Sequence, residues 1–294
     1  MLIFIVWFTV LFGLGAYGLV FLLLRCLTAG ELMRGNYAGQ FIPTGLGIYL
    51  LALAIAYGWA VEWADRAFLL PQAISDALGG RILPLSYPVY LMALTAVGLT
   101  GWWDDRWGDR ETKGIKGHWN KLFREGIVTS GAAKAVIALT MAVWISIQTD
   151  GLGWKALWGI GFIPLMTNTI NLLDVRPGRA LKAFIGLSLL LLAMTTARGQ
   201  AALAFSFLFP LWIGAALLFP LDLRGKLMIG DTGANLLGFA LGCLLFAVSP
   251  IWLLAIGTTL LVQLHRFAER RSITEHIAAV RWLSRVDRWG RPTE

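Results

Sequence analysis

Asp104, Asp105, Asp174, Asp222 and Asp231 stand where apolar runs of this chain end, in a protein with only 17 Asp and Glu among 294 residues. A carboxylate at a membrane edge is costly to desolvate, so its presence points to an ion, a proton or a phosphate partner. Asp104 and Asp105 are adjacent and repel each other, and a cation that holds both lets them stay ionised together. They are followed by Lys113-Gly114-Ile115-Lys116-Gly117-His118-Trp119-Asn120-Lys121, whose Lys and His side chains suit phosphate oxygens. Asn168, Asn171 and Asp174 recur three apart and would share one helix face, a polar stripe with oxygen donors for a hard cation. The plain alternative for the Asn residues is hydrogen bonding between helices. Arg176, Gly178, Arg179 and Lys182 follow as a candidate anion site. In Gly230-Asp231-Thr232-Gly233, Asp231 opens a helix, where the dipole favours an anion, so simple capping competes with a metal role. The glycines there would let a ligand approach the backbone. His265 and Arg266 end the last apolar run as further phosphate candidates.

The elements that must carry these residues are membrane spans. The chain is 57% hydrophobic and 14% charged, with uncharged runs at Met1–Leu24, Gly35–Val61, Ile82–Trp103, Ala135–Thr149, Ala156–Leu173, Ala183–Ala197, Gly199–Leu221 and Thr232–Leu264. A span needs roughly 20 apolar residues. The last run is too long for one helix, and Ser249-Pro250 in its middle predicts a hairpin of two. The expected fold is therefore an all-α polytopic bundle of about nine transmembrane helices, multi-pass, with residues 1–264 as the membrane domain and 265–294 as a cytoplasmic amphipathic tail. Met1 opens directly on an apolar run without a basic region, which reads as a retained helix.

Orientation follows from the cations. With the N-terminus outside and the C-terminus inside, 21 of the 25 Lys and Arg fall in the inside segments, leaving Arg66, Arg81, Lys155 and Arg198 outside. The same assignment gathers all five acids on the inner face. The net charge of +8 is mostly this bias, so no nucleic-acid partner is expected. Cys26 and Cys243 sit in or beside spans as packing residues.

Taken in order, Pro43-Thr44 with Leu46-Gly47, Asp104-Asp105 with its Lys-Gly-x-x-Gly-His-x-x-Lys run, Asn168-x-x-Asn171-x-x-Asp174 and Gly230-Asp231-x-Gly233 resemble the polyprenyl-phosphate N-acetylhexosamine-1-phosphate transferases over nearly the whole chain. The resemblance implies Mg²⁺-dependent (or Mn²⁺-dependent) transfer of a sugar-1-phosphate from a nucleotide-sugar, a UDP-sugar in the family, to a polyprenyl phosphate carrier lipid, initiating a cell-envelope glycan in a bacterial cytoplasmic (inner) membrane. It implies metal held by Asp231 and Asn171, and catalytic roles for Asp104, Asp105 and Asp174. Asn168, Lys116, His118, Lys121, Arg176, Arg179, His265 and Arg266 are the expected substrate and phosphate contacts. A homodimer is compatible with the sequence. The chain departs from the family at Pro177 and Leu221, where an Asp and an Asn usually help read the base, and in its single His265. The expectation is that phosphate and metal parts are kept while the base is read differently, with Arg176 and Arg179 gripping donor phosphate. The alternative is a transport or non-catalytic protein handling lipid-linked phosphate. Transporters, however, place charges near mid-membrane within inverted repeats, and neither is visible.

Overall fold

The computed structural model describes residues 2–29, 32–35, 39–82, 85–108, 121, 124, 126 and 129–291. The helices among them are α1 (Leu2–Ala29), α2 (Gly47–Arg66), α3 (Gln72–Leu78), α4 (Tyr87–Trp107), α5 (Ser130–Asp150), α6 (Trp154–Leu173), α7 (Arg179–Ala197), α8 (Ala201–Leu223), α9 (Gly230–Val248), α10 (Ile251–Arg270), α11 (Ile273–Ala279) and α12 (Arg281–Arg288). Eight of them are long and apolar enough to cross a membrane. The ninth long helix, α4, has 21 residues but ends in Asp104, Asp105 and Arg106, and it packs against α2, α5 and α9. The protein is an all-α polytopic membrane bundle.

The apolar run after Gly35 is not one element. Met33–Gly35 (β1) and Phe41–Pro43 (β2) form a short antiparallel hairpin pairing Met33 with Pro43. The chain leaving β2 is sewn to the segment before α9: the Met228 N–H donates to the Pro43 carbonyl at 2.9 Å and the Gly47 N–H to the Ile229 carbonyl at 2.9 Å. Ser249-Pro250 splits the longest run as expected, with α9 ending at Val248 and Pro250 capping α10.

Helix α9 is the axis of the bundle. Its residues are buried nearly all round, as an apolar helix without a polar face must be. Glycines let neighbours touch its backbone. A Cβ on Gly47 of α2 would lie 1.9 Å from the Gly233 nitrogen, one on Gly101 of α4 2.7 Å from the Thr232 Cα, and one on Gly238 2.7 Å from the Thr167 Cα of α6. Without a hydrophobic drive between helices in lipid, such small residues supply the packing. These glycines therefore serve helix crossings. At the far end of α9, Lys155 donates to the Ala247 carbonyl at 2.9 Å and Arg198 to that of Val248, so two cations satisfy orphan C-terminal carbonyls. The opposite end of α9, with Asp231, is called the acidic end below.

The last apolar run extends further than its charge pattern suggests. α10 continues to Arg270, so His265 and Arg266 belong to the span and not to the tail. The tail is two short helices broken at Val280.

Candidate functional site at the acidic end

The N-terminus of α9 leaves backbone N–H groups without intrahelical partners, as any helix start does. No side chain of α9 caps them. Asp105 of α4 does. Its carboxylate accepts the Asp231 N–H at 3.0 Å, the Thr232 N–H at 2.9 Å and the Thr232 hydroxyl at 2.5 Å. Gly230 makes room: its φ is +68°, and a Cβ there would lie 2.6 Å from an Asp105 oxygen. Arg34 of β1 donates to the Asp105 and Asp104 carbonyls and stands 3.8 Å from the Asp105 carboxylate. Asp105 is 3% exposed. It is thus a positioning residue, fixing α4 to α9.

This cap frees Asp231. Its side chain does not cap its own helix but reaches Lys134 in the first turn of α5, where the Nζ is 2.5 Å from Asp231 Oδ2 and 2.5 Å from Asp104 Oδ2. The ammonium marks a point where two carboxylates from different helices hold a cation. Asp104, Lys134 and Asp231 all remain partly accessible.

Lys134 also lines a cavity of about 580 Å³ between α4, α5, α6 and α10. Its polar lining includes Asn168, Asn171, Asn235, His265 and Glu269, and most of the remaining wall is apolar, with Val97, Ala138 and Leu165 among the lining residues. Two buried acceptor-capable atoms of that lining have no partner among the described residues: Oδ1 of Asn171 and Nε2 of His265. The other ring nitrogen of His265 bonds the Leu261 carbonyl at 2.7 Å. Buried polar groups are rarely left unsatisfied, so these two are candidates for ligand contact.

The Asn-Asn-Asp stripe divides. Asn168 and Asn171 face the cavity, but α6 stops at Leu173 and Asp174 is its C-cap, so the three-residue phase is lost. Asp174 instead lines a small cleft with Arg176, Asp222 and Met228 and accepts the Gly230 N–H. Burial pushes the Asp174 carboxyl well above the usual range, and the carboxylates of Asp222, Asp231 and Asp105 push it the same way. Asp222 is itself engaged, accepting the Gly178 N–H at 3.0 Å.

The cationic candidates disperse. Arg179 is buried and forked onto Asp287 of α12, with Nε and Nη2 each 2.9 Å from a carboxylate oxygen. Arg266 is exposed and lines a different surface groove, with Gln263 and Arg270. Lys121 is partly buried. Lys116 and His118 lie outside the described residues.

A divalent cation fits the donor chemistry in one respect. Asp231 and Asp104 offer anionic oxygens around Lys134, which lines the same cavity as Asn171, and carboxylate and amide oxygens are the hard ligands Mg²⁺ takes. No group of three or more His, Cys, Asp and Glu suited to a metal is found among the described residues, so the amide is needed to complete the set. Sequence reasoning missed Lys134, Arg34 and Thr232. Lys134 was visible only as one more cation of an inner segment. Its helical partner positions become legible once α5 is seen to start at Ser130.

Comparison with protein-family models and with characterised proteins finds no match to this chain.

Proposed function

We propose that the protein transfers a sugar-1-phosphate from a nucleotide-sugar to a polyprenyl phosphate in the bacterial cytoplasmic membrane. The observation that carries this reading is the acidic end itself. Carboxylates from α4 and α9 meet one ammonium beside the polar lining of a cavity whose remaining wall suits a lipid. In the reaction, an oxygen of the lipid phosphate attacks the sugar-bearing phosphorus of the donor. The new P–O bond replaces the pyrophosphate P–O bond, and a nucleoside monophosphate leaves.

Each side chain has a task within that reaction. Asp104 is placed to orient or deprotonate the lipid phosphate. Lys134 keeps Asp104 and Asp231 close in spite of their repulsion and offers its ammonium to phosphate oxygens. Asn171, Asn168 and His265 supply the uncommitted polar atoms of the cavity lining. Mg²⁺ or Mn²⁺, when bound by Asp231, Asn171 and Asp104, would neutralise the pyrophosphate. Asp105 holds Asp231 in place from below. Asp174, raised toward its neutral form, suits proton exchange near the donor more than metal binding. A donor phosphate that used Arg179 would have to displace Asp287, so Arg176 is the better candidate of the two.

The test is direct. Purified protein with Mg²⁺, radiolabelled polyprenyl phosphate and a panel of nucleotide-sugars should yield a lipid-linked sugar pyrophosphate with one donor class. Absence of any product across uridine, cytidine, guanosine and adenosine donors overturns the reading.

A further inference from the structure

A network centred on Asp287 fastens α12 to the bundle. Besides the Arg179–Asp287 fork, Arg179 reaches the Thr274 hydroxyl at 3.1 Å, and Arg291 bonds Asp287 at 2.7 Å and the Pro177 carbonyl at 2.8 Å. Lys182 donates to the carbonyls of Val286, Asp287 and Trp289 at 3.1, 2.8 and 2.6 Å, closing the C-terminal end of α12. On the bundle side these hydrogen bonds reach the α6–α7 connection and the first turn of α7, and His276 of α11 packs edge-on against Phe267 of α10, with ring centroids 5.0 Å apart.

The opposite face of α12 is exposed, save that the Lys182 ammonium stands 6.0 Å from the centroid of the Trp289 ring. Trp282, Val286 and Trp289 recur at i, i+4 and i+7, so they form one stripe, and they are 67, 56 and 70% exposed. Around the helix Trp282 and Val286 fall on the side away from Asp287. Arg281, Arg285 and Arg288 form a second stripe along the flank, also exposed. Two tryptophans beside three arginines is the composition of a helix that lies in the headgroup layer. The position agrees with it. Only Arg271 and Ser272 separate α10, a membrane-spanning helix, from α11, and the staple ties α12 to the end of α7, another spanning helix.

We infer that residues 273–291 are a membrane-surface latch: the Trp282–Val286–Trp289 face and its arginine flank dock on anionic lipid headgroups, while the other face holds the connection that carries Asp174 and Arg176. The occupant is a lipid surface because the exposed face is apolar and cationic together, and the inner leaflet is anionic. The inference stands whether or not the protein is a transferase.

The experiment uses the full chain in nanodiscs, with Cys26→Ser and Cys243→Ala. Val286→Cys carries an environment-sensitive fluorophore, in discs of phosphatidylcholine alone or mixed with phosphatidylglycerol. Blue-shifted emission, quenched by lipids spin-labelled near the headgroup, is expected in the anionic discs. The triple variant R281Q/R285Q/R288Q should lower surface occupancy by about a hundredfold, at about fivefold for each arginine. Water-like emission in both discs overturns the inference. So does a blue shift that is independent of lipid charge and appears only with two copies per disc, which would assign the face to a second copy. In a second arm, a spin label at Val175→Cys should gain motion on Asp287→Asn. An unchanged spectrum shows that the staple does not hold the connection and overturns that half of the latch.

Discussion

Two sets of ion pairs join helices at the acidic end, and they are unbalanced in opposite directions. At the first, Asp104 and Asp231 share Lys134, and Asp105 has Arg34 within 3.8 Å. Negative charge is in excess there, and two buried polar atoms of the adjoining cavity lack partners among the described residues. At the second, one carboxylate, Asp287, receives both Arg179 and Arg291, and Lys182 is consumed by three carbonyls. Here every named hydrogen-bonding group is satisfied and the excess is positive. The difference separates a site that awaits a ligand from one that holds a fold. Incomplete satisfaction beside a cavity is a reason to expect chemistry, whereas a closed network is a reason to expect structure.

The largest effect should come from opening the first set. Asp231→Asn and Asp104→Asn should each lower turnover by about a hundredfold or more, in line with the loss of one group that stabilises developing charge. Folding, followed by gel filtration in detergent, should persist, because neither carboxylate caps a helix. Asp287→Asn should lower turnover less than either, since it loosens the connection that carries Asp174 and Arg176 without removing a group from the site. Equal losses at both places would erase the distinction between the two sets.

Lys134→Met sharpens the same comparison without an activity assay. Removing the shared cation leaves two close carboxylates of like charge, whose repulsion their partial accessibility screens only in part. The thermal midpoint should fall, and Mg²⁺ should restore it to a greater extent than it raises the wild type, since a divalent cation can take the vacated position. A variant insensitive to Mg²⁺ would show that the carboxylates do not form a metal site.

A smaller loss is expected from Asp105→Asn. The amide can accept one N–H of α9 but presents an NH₂ to the other, so the cost should resemble loss of a helix cap, about 0.5–2 kcal/mol. Turnover should fall only as far as Asp231 is displaced. Urea titration in mild detergent reports the stability, and a loss of turnover equal to that of Asp104→Asn would return Asp105 to the group that touches substrate.

How far these roles could be read in advance depends on which helix ends were legible. The bundle, the hairpin at Ser249-Pro250 and the five acids followed from charge-free runs and their interruptions, which are local properties. The division of labour between Asp104 and Asp105 did not. Adjacent residues on a helix point about 100° apart, so one caps α9 and the other meets α5, and that depends on where two distant helices begin. The Asn-Asn-Asp stripe failed for a similar reason, since its third member falls just past Leu173, where α6 ends. Arg179 was read as a phosphate contact because its neighbours are basic. Its partner is Asp287, 108 residues away, and nothing local announces that pairing.

The smallest predicted effect is a pH dependence of the second set. Burial alone would raise the Asp287 carboxyl, but the Arg179 fork and the Arg291 guanidinium hold it below the usual range. A carboxylate whose folded value is depressed contributes stability that is fully present above its unfolded value, about 3.9, and is lost as pH falls through the folded one. The tail should therefore stay fastened at neutral pH and loosen only in acid, below about pH 4. Hydrogen exchange of α12 amides, corrected for the intrinsic rate at each pH, should show protection lost in that window, and Asp287→Asn should lose it already at pH 7. Loss of α12 protection near neutral pH in the wild type would mean that Asp287 is not the group that holds the tail.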